Sequence, residues 1–169
     1  MKEYNSVSEP FLADVRAVVG DANVFTEPEK LEQYKTDEEY DPRRFRVPEA
    51  VVRPANAEEI AAVVKLCNKY NVPLTVRSGG TSLADGAIAV CGGIVLLMER
   101  LNKIIEMNTE AMYVVAEAGV RTVDIQKMAN EAGYLYAGDP CSAESCLIGG
   151  NLATNAGGSK AVRYGVTRN

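Results

Sequence analysis

The chain has 169 residues, 47% of them hydrophobic, and its 18 lysines and arginines against 23 aspartates and glutamates give a net charge of −5. A chain of this length and composition can bury a core as one compact domain or as two small lobes. The acidic balance argues against nucleic acids and anionic membrane surfaces as partners, because both bind basic faces. The N-terminal residues lack the apolar core of a signal peptide, and no run reaches the roughly 18 apolar residues of a membrane-spanning helix. We therefore expect a cytoplasmic protein without a transmembrane segment.

The cysteine and histidine content limits the chemistry further. The four cysteines, at positions 67, 91, 141 and 146, form no C-x-x-C pair, and the chain contains no histidine. Mixed cysteine and histidine zinc sites cannot be assembled from these residues, so we predict reduced thiols and no metal ligands. A histidine base, as used in hydrolase triads, is also excluded within this chain.

The first 44 residues are predicted to form a helical segment followed by a linker. Ser8 is a candidate N-cap for a helix that ends near Val19, and a second short helix is predicted over residues 28–34. Residues 35–50, K-T-D-E-E-Y-D-P-R-R-F-R-V-P-E-A, are polar and interrupted by proline, which predicts a surface connection. Their acidic run could face a partner, but such runs are mostly solvated.

Residues 50–77 are predicted to form a β-α-β unit. A-V-V-R-P indicates a strand, Asn56 followed three residues later by Glu59 indicates a helix start, and V-P-L-T-V-R indicates the second strand. Such a crossover is right-handed and makes its two strands parallel. Further strands are predicted in G-G-I-V-L-L-M-E, K-I-I-E-M-N and M-Y-V-V-A-E-A-G, followed by a helix over residues 122–132.

The segment V-R-S-G-G-T-S-L-A-D-G-A, residues 76–87, follows the second strand of this unit. Open α/β sheets bind ligands at the carboxyl ends of their strands. Two adjacent glycines expose successive backbone N–H groups, and three neighbouring hydroxyls add donors, an array that suits a diphosphate. The alternative is that this glycine-rich segment is only a turn. The motifs G-x-G-x-x-G and G-x-x-x-x-G-K-[ST] are both absent from the sequence, which disfavours a Rossmann or P-loop site.

A second glycine-rich cluster covers the last thirty or so residues, beginning D-P-C-S-A-E-S-C-L-I-G-G-N. Glycine pairs at 149–150 and 157–158 stand beside Asn151 and Asn155, at a density that is costly in conformational entropy for a plain loop. The two clusters together favour one extended ligand held from two sides.

The order of these motifs resembles the FAD-binding domain of the FAD-linked oxidases related to vanillyl-alcohol oxidase and p-cresol methylhydroxylase. The matching motifs are R-S-G-G-T-S, G-A at 86–87, D-P at 139–140, I-G-G-N at 148–151, A-T-N-A-G-G at 153–158 and R-Y-G-x-T-R at 163–168. Within the family the sequence is most similar to the branch of the glycolate oxidase catalytic subunit and the FAD-linked D-lactate dehydrogenases. The resemblance implies an α+β fold in which residues 1–44 precede residues 45–169, the latter forming the first lobe, with its small β-α-β sheet, and the start of the second lobe of a p-cresol methylhydroxylase-type FAD-binding domain.

The resemblance also implies roles for the glycine-rich residues. In this family the first loop wraps the FAD pyrophosphate, and the matching residues are Arg77, Ser78, Gly79, Gly80, Thr81 and Ser82, with Gly86 and Ala87 close by. The alternative for Arg77 is a role within its own strand. The second cluster lines the flavin and ribityl region, and the matching residues are Pro140, Ile148, Gly149, Gly150, Asn151, Asn155, Gly157 and Gly158. Backbone donors there are expected to face flavin oxygens and tune the electron affinity of the ring.

Three departures from the family pattern carry further expectations. Thr81 stands where relatives with covalent FAD have a histidine, which implies non-covalent FAD here. Asp85 and Ser78 stand where many relatives have glycine, and aspartate tolerates a left-handed backbone better than most residues. Cys141 and Cys146 lie inside the flavin block; a redox or thioether role is one interpretation, and buried small hydrophobic residues are the favoured one.

The resemblance implies oxidation of a small 2-hydroxy acid, of the glycolate or D-lactate type, by hydride transfer to flavin N5 and reoxidation by a separate electron acceptor. Full-length relatives continue past R-Y-G-x-T-R, so we expect an N-terminal fragment with an incomplete second lobe and no cap domain. Such a fragment would be inactive alone, contain no catalytic residue, bind FAD weakly or not at all, and tend to self-associate through an exposed interface. The alternatives are a free-standing FAD-binding or interaction module completed by a partner chain and, less favoured, a nucleotide-phosphate binder unrelated to flavin.

Overall fold

The computed structural model describes residues 3–39 and 41–168, and the chain divides into two compact units between Arg100 and Leu101. We call the N-terminal part unit 1 and the C-terminal part unit 2. The division falls inside the segment 45–169 that the sequence assigns to one domain. The boundary at residue 44 stays a prediction.

Unit 1 begins with helix α1, Glu9–Val19, as the sequence predicts. The hydroxyl of Ser8 accepts the N–H of Phe11, which satisfies one of the unpaired donors of the first turn. Phe11 and Val15 are buried with the other apolar residues of this helix face. Gly20 ends the helix at a φ of 83°, a conformation that glycine adopts without steric cost.

The chain between helix α1 and residue Ala50 forms short elements. They are strand β1, Val24–Phe25, and helix α2, Pro28–Leu31, whose last turn continues as a 3₁₀ turn over Glu32–Tyr34. The helix predicted over residues 28–34 is therefore present with a tightened end. The polar stretch that follows is only partly exposed, with Pro48 buried, and Asp37 is only 5% exposed. The prediction that this stretch is purely a surface connection is wrong at that residue, because the Asp37 carboxylate folds back to accept the N–H of Glu39.

The main sheet has four strands in the order β1-β2-β4-β3. Strand β2 is Ala50–Val52, β3 is Leu74–Arg77 and β4 is Ile94–Leu97, and both β2 and β3 pair in parallel with β4. The predicted parallel direction of β2 and β3 is confirmed, but β4 lies between them. All four side chains of β4 are buried, as expected of the central strand of a parallel sheet.

Helix α3, Ala57–Tyr70, connects β2 to β3 and begins as predicted. The side chain of Asn56 accepts the N–H of Glu59, and the Glu59 carboxylate accepts the N–H of Ala55. The helix ends at Asn71 in the left-handed conformation.

Unit 2 contains a β-hairpin, a helix and a glycine-rich segment with two further helices. Strands β5, Ile104–Asn108, and β6, Tyr113–Ala116, are antiparallel and precede helix α4, Thr122–Glu131, as the sequence predicts. A small core contains the buried residues Val120, Ile125 and Ile148. Helices α5, Ile148–Thr154, and α6, Ala161–Tyr164, were not predicted.

The mixture of a small mixed sheet, a hairpin and packed helices confirms the predicted α+β class. The longest helix in the described part of the chain is α3, with 14 residues. Across residues 3–39 and 41–168, none of the helices combines the length and the apolar composition that crossing a bilayer would require.

Candidate functional site

The first glycine loop leaves the carboxyl end of β3 and returns to β4. Within the described residues, the backbone N–H groups of residues 78–83 donate no hydrogen bond. The second half of the loop is anchored instead, because Ile88 donates its N–H to Asp85 O and its side chain is buried. The loop therefore presents a run of free donors on a fixed base, an arrangement suited to an anionic oxygen cluster.

The predicted residues of the first loop lie together on this run. Gly79 is exposed and Gly80 has a φ of 69°, in the left-handed region. The Ser82 hydroxyl accepts the N–H of Ala84, which turns the chain after the free donors. A Cβ added at Gly86 would meet no atom within 4 Å, so packing does not require a glycine there. Ala87 is 8% exposed and belongs to the buried base of the loop.

Arg77 lies beneath the loop. Its Nη1 donates a 2.7 Å hydrogen bond to Thr36 O, and its guanidinium carbon lies 5.7 Å from the ring centroid of Tyr34. A Cβ added at Gly80 would overlap this guanidinium, so the loop backbone rests directly on it. Burial lowers the pKa of Arg77, although an arginine stays protonated. These contacts favour the structural alternative that the sequence left open for Arg77.

An open pocket of about 480 Å³ lies in the second glycine-rich segment, lined by residues 139–145 and by Ser159. Lys160 Nζ lies 3.2 Å from the Asp139 carboxylate, and Gln126 donates to the same group. The Gln126 hydrogen bond and the Lys160 contact hold the pKa of Asp139 below its usual value. A Cβ added at Gly158 would overlap Asp139 O, so close backbone packing brings residues 157–159 to Pro140. Within the described residues, the N–H groups of residues 157–160 also donate no hydrogen bond.

The I-G-G-N motif forms the start of α5 and is bound to the rest of unit 2. Ile148 and Gly149 donate their N–H groups to Val120 O and Ala118 O at 2.8 and 2.9 Å. A Cβ on Gly149 would lie 2.8 Å from Ala118 Cβ, so this position needs a glycine for packing. The backbone donors of the motif are therefore used within the unit.

The two predicted asparagines also make internal contacts. Asn151 is 4% exposed, and its amide donates to the hydroxyl of Thr122 at 2.5 Å. Asn155 ends α5 in the left-handed conformation, and its side chain accepts the N–H of Arg168 at 2.8 Å. The predicted asparagines and glycines therefore stabilise the local fold of unit 2, in addition to any role in ligand binding.

The two cysteines of this segment differ in their surroundings. Cys146 is buried, with Sγ 3.2 Å from the Thr122 hydroxyl, and fits the small hydrophobic interpretation. For Cys141 the favoured interpretation as a buried residue is wrong, because its side chain is exposed and lines the pocket. Among the described residues, no cluster of three or more histidine, cysteine, aspartate or glutamate side chains could hold a metal ion.

Sequence reasoning missed several residues beside these loops. Glu38 donates its N–H to Ser82 O, and Arg44 forms an ion pair with Asp85. Asp85 has a left-handed backbone, with a φ of 56°, but this conformation does not indicate a charged partner 41 positions away. Ser159 and Lys160 were also missed, although they follow the glycine pair directly.

Comparison with known proteins agrees with this description. The family model described as "FAD binding domain" matches residues 48–169. The chain is 36% identical over 75% of its length to the glycolate oxidase subunit GlcD of Bacillus subtilis and covers 27% of that protein. It is 41% identical over 72% of its length to a D-lactate dehydrogenase of Anaerostipes hadrus, of which it covers 25%. It is 36% identical over 96% of its length to a D-2-hydroxyglutarate dehydrogenase of Stutzerimonas stutzeri, of which it covers 35%.

Solved structures show the same fold. An alkyldihydroxyacetonephosphate synthase matches 97% of this chain with a TM-score of 0.84 at 22% identity, and the match covers 35% of that protein. Substrate-bound p-cresol methylhydroxylase matches 82% of this chain with a TM-score of 0.65 at 26% identity, covering 28% of the enzyme. The predicted p-cresol methylhydroxylase-type fold is confirmed. The chain spans about a quarter to a third of the length of the relatives that it matches.

Proposed function

Because the chain belongs to the FAD binding domain family, we propose that it is the FAD-binding portion of an oxidoreductase that oxidises a 2-hydroxy acid. The match makes FAD the cofactor and relates the chain to FAD-linked oxidoreductases. The substrate class is proposed from the names of three relatives, since glycolate, D-lactate and D-2-hydroxyglutarate are all 2-hydroxy acids. The three acids differ in their remaining substituents, and we propose the shared 2-hydroxy carboxylate only.

The observation that carries the proposal is that the N–H groups of residues 78–83 donate no hydrogen bond to any residue that the structure describes. A diphosphate offers charged acceptor oxygens to successive donors, and charge-assisted hydrogen bonds are the stronger class. We assign the FAD diphosphate to the residues of this loop: Ser78, Gly79, Gly80, Thr81 and Ser82, with Gly86 and Ala87 beside them. Arg77 supports the loop from beneath rather than contacting the phosphates.

We assign the flavin and ribityl region to the residues of the second cluster: Pro140, Ile148, Gly149, Gly150, Asn151, Asn155, Gly157 and Gly158. The free N–H groups of residues 157–160 and the pocket beside them support this assignment. The N–H groups of residues 148–151 already have partners within unit 2, so these residues contribute packing rather than backbone hydrogen bonds to the ligand.

The chemistry that bound FAD supplies in this proposal is acceptance of a hydride from the hydroxyl-bearing carbon of the substrate. The chain itself contributes FAD binding. The N–H donors of its first loop compensate the charge of the diphosphate. Because the base of this loop is already fixed, less conformational entropy is lost on binding. The chain has no histidine, so it supplies no histidine to take up the substrate proton. We therefore assign no catalytic residue within this sequence.

A titration with FAD of the protein that carries this domain, followed by flavin fluorescence, tests the cofactor assignment. Riboflavin, which lacks the diphosphate, should bind at least about tenfold more weakly if the first loop carries affinity. Gly79→Asp places a carboxylate beside the free donors and should weaken FAD binding by a similar factor. Val90→Asp is the matched control, since this residue is 62% exposed in the second half of the same loop. Equal FAD affinity in the two variants would contradict the assignment.

The substrate class is tested in the protein that carries this domain. Glycolate, D-lactate and D-2-hydroxyglutarate are each mixed anaerobically with the FAD-loaded protein, and loss of the oxidised-flavin absorbance is recorded. Reduction by at least one of these acids, and not by the corresponding acids without the 2-hydroxyl group, is expected. Absence of reduction by all three would contradict the proposed substrate class without affecting the cofactor assignment.

A further inference from the structure

A segment of unit 1 between helix α2 and strand β2 contacts the first glycine loop at three points. We call residues 35–39 and 41–46 the support segment. Thr36 O accepts the side chain of Arg77 at 2.7 Å, at the base of the loop. Glu38 donates its N–H to Ser82 O at 3.0 Å. The third contact is the ion pair between Arg44 and Asp85.

The support segment has its own internal hydrogen bonds. The Thr36 hydroxyl donates to Glu39 O at 2.9 Å, and the Asp37 carboxylate accepts the N–H of Glu39 at 2.9 Å. At the far end, the N–H of Arg46 donates to the carbonyl of Lys35, also at 2.9 Å, which closes the segment on itself. These bonds make the segment a compact body that can fix the loop.

The three contacts enclose the free donors of the loop. The N–H groups of residues 78–83 make no hydrogen bond among the described residues, so the backbone there is not held by its own donors. It is held through Arg77 on one side and through the Ser82 carbonyl and the Asp85 side chain on the other. The support segment therefore restrains the loop while its N–H groups remain available.

Among the loop residues that contact the support segment, Asp85 has the least favourable backbone conformation. Its backbone is left-handed, with a φ of 56°, a conformation that glycine adopts at lower cost than aspartate. Its side chain is only 15% exposed, whereas that of Arg44 is 58% exposed. Without Arg44 the largely buried Asp85 carboxylate would lose its charged partner. Leaving this charge unpaired lowers the free energy of unfolding, even where the intact ion pair itself contributes little to it.

Building on the FAD site proposed above, we infer that Arg44 is a positioning residue for the diphosphate-binding loop. Through its ion pair with Asp85, Arg44 holds the loop in the conformation that directs the free N–H groups of residues 78–83 to one anionic ligand. Arg44 contacts the loop and not the ligand. Its effect on FAD binding should therefore disappear when the Asp85 carboxylate is removed.

A double-mutant cycle on FAD affinity tests this coupling. Arg44→Ala and Asp85→Asn should each weaken FAD binding about threefold to tenfold, and the double variant should bind no more weakly than the weaker single variant. Arg44→Lys should recover part of the affinity because it keeps the charge. Arg43→Ala is the matched control, since Arg43 lies on the same turn and pairs with Asp41 without a contact to the loop. Additive losses, or equal behaviour of the two arginine variants, would overturn the inference.

A second measurement separates this inference from the proposed function and from general stability. The N–H groups of Glu38 and Ile88 donate to Ser82 O and Asp85 O, so their hydrogen exchange in FAD-free protein reports loosening of the loop. Arg44→Ala should accelerate both exchanges at least about threefold relative to Arg43→Ala, with equal midpoints of urea unfolding. Unchanged exchange would overturn the inference. If the protein that carries this domain bound no FAD, the proposed function would fail, and this exchange result alone would decide whether Arg44 positions the loop.

Discussion

The side-chain amide of Asn151 donates a 2.5 Å hydrogen bond to the hydroxyl of Thr122, and both residues are buried. Thr122 begins α4 and Asn151 lies in α5, so the bond joins two helices of unit 2. The Cys146 thiol lies 3.2 Å from the same hydroxyl. The helix that carries the I-G-G-N motif is thus attached through a buried polar cluster.

Asn151→Ala should lower the free energy of unfolding of the FAD-free chain by about 1–3 kcal/mol, because a buried hydroxyl loses its amide partner. Urea unfolding followed by far-ultraviolet circular dichroism measures this change. Asn130→Ala is the control, since Asn130 is exposed on α4. If Asn151→Ala and Asn130→Ala were equally stable, the buried amide would not stabilise the FAD-free chain, and the prediction would be wrong.

Alanine at position 158 should lower the stability of the chain, whereas alanine at position 86 should leave it nearly unchanged. Gly158→Ala places a Cβ against Asp139 O and should cost about 1–3 kcal/mol of stability, because the backbone must move. Gly86→Ala should leave the stability within about 0.5 kcal/mol, since no atom lies within 4 Å of the new Cβ. Thermal unfolding of the FAD-free variants tests both expectations.

The alanine variants of Gly86 and Gly158 also distinguish a glycine required for packing from one required for ligand contact. If Gly86 is a glycine because FAD approaches it closely, Gly86→Ala should weaken FAD binding although the fold is unchanged. A stable Gly86→Ala variant with unaltered FAD affinity would remove Gly86 from the proposed site. A Gly158→Ala variant as stable as the unaltered chain would show that residues 157–159 do not need their close approach to Asp139.

Helix-capping residues explain why the sequence predicts the starts of two helices correctly. Ser8 and Asn56 each carry a side chain that can accept a first-turn N–H, and both helices begin directly after them. The position of β4 between β2 and β3 was not predicted, because an apolar run indicates a strand but not its neighbours. Helix α5 was missed because paired glycines oppose helix formation, and the hydrogen bonds to residues 118 and 120 that stabilise it are distant in sequence.

The candidate site shows the same limit. The glycine pattern predicts both loops, but it does not distinguish a glycine needed for packing, such as Gly158, from one with open space, such as Gly86. The contact of Arg44 with Asp85 joins residues 41 positions apart, and charge pairs at that distance leave no local pattern. Long-range contacts of this kind require the folded chain.

FAD should be released from this protein by acid precipitation, leaving a colourless pellet. The reason is that Thr81, which stands at the position of the linking histidine in covalent relatives, has no nucleophile able to form that bond. The exposed thiol of Cys141 is the other group to test, because it lines the pocket of unit 2. The mass of the denatured protein should equal that of the polypeptide. A flavin adduct that persists in the unaltered chain and is absent in Cys141→Ser would contradict the prediction.

Stability at alkaline pH should depend on Cys67, which is 5% exposed. Burial raises the pKa of this thiol from its ordinary value of 9.0 to about 11. The folded chain therefore keeps the proton that the unfolded chain loses above pH 9, and stability must fall as the pH rises from about 9 to about 11. By pH 10.5 the loss attributable to Cys67 should be about 2 kcal/mol relative to neutral pH.

Cys67→Ala should remove this part of the pH dependence, although its stability at neutral pH will be lower because a buried side chain is shortened. Cys91→Ala is the control, since Cys91 is exposed and its removal should leave the pH dependence unchanged. Urea unfolding of the three proteins at pH 7.5, 9.5 and about 10.5 measures the difference between the curves. The expected result is a shallower decline for Cys67→Ala alone. Parallel curves for all three proteins would show that the Cys67 thiol ionises as readily in the folded chain as in the unfolded one, and would contradict the prediction.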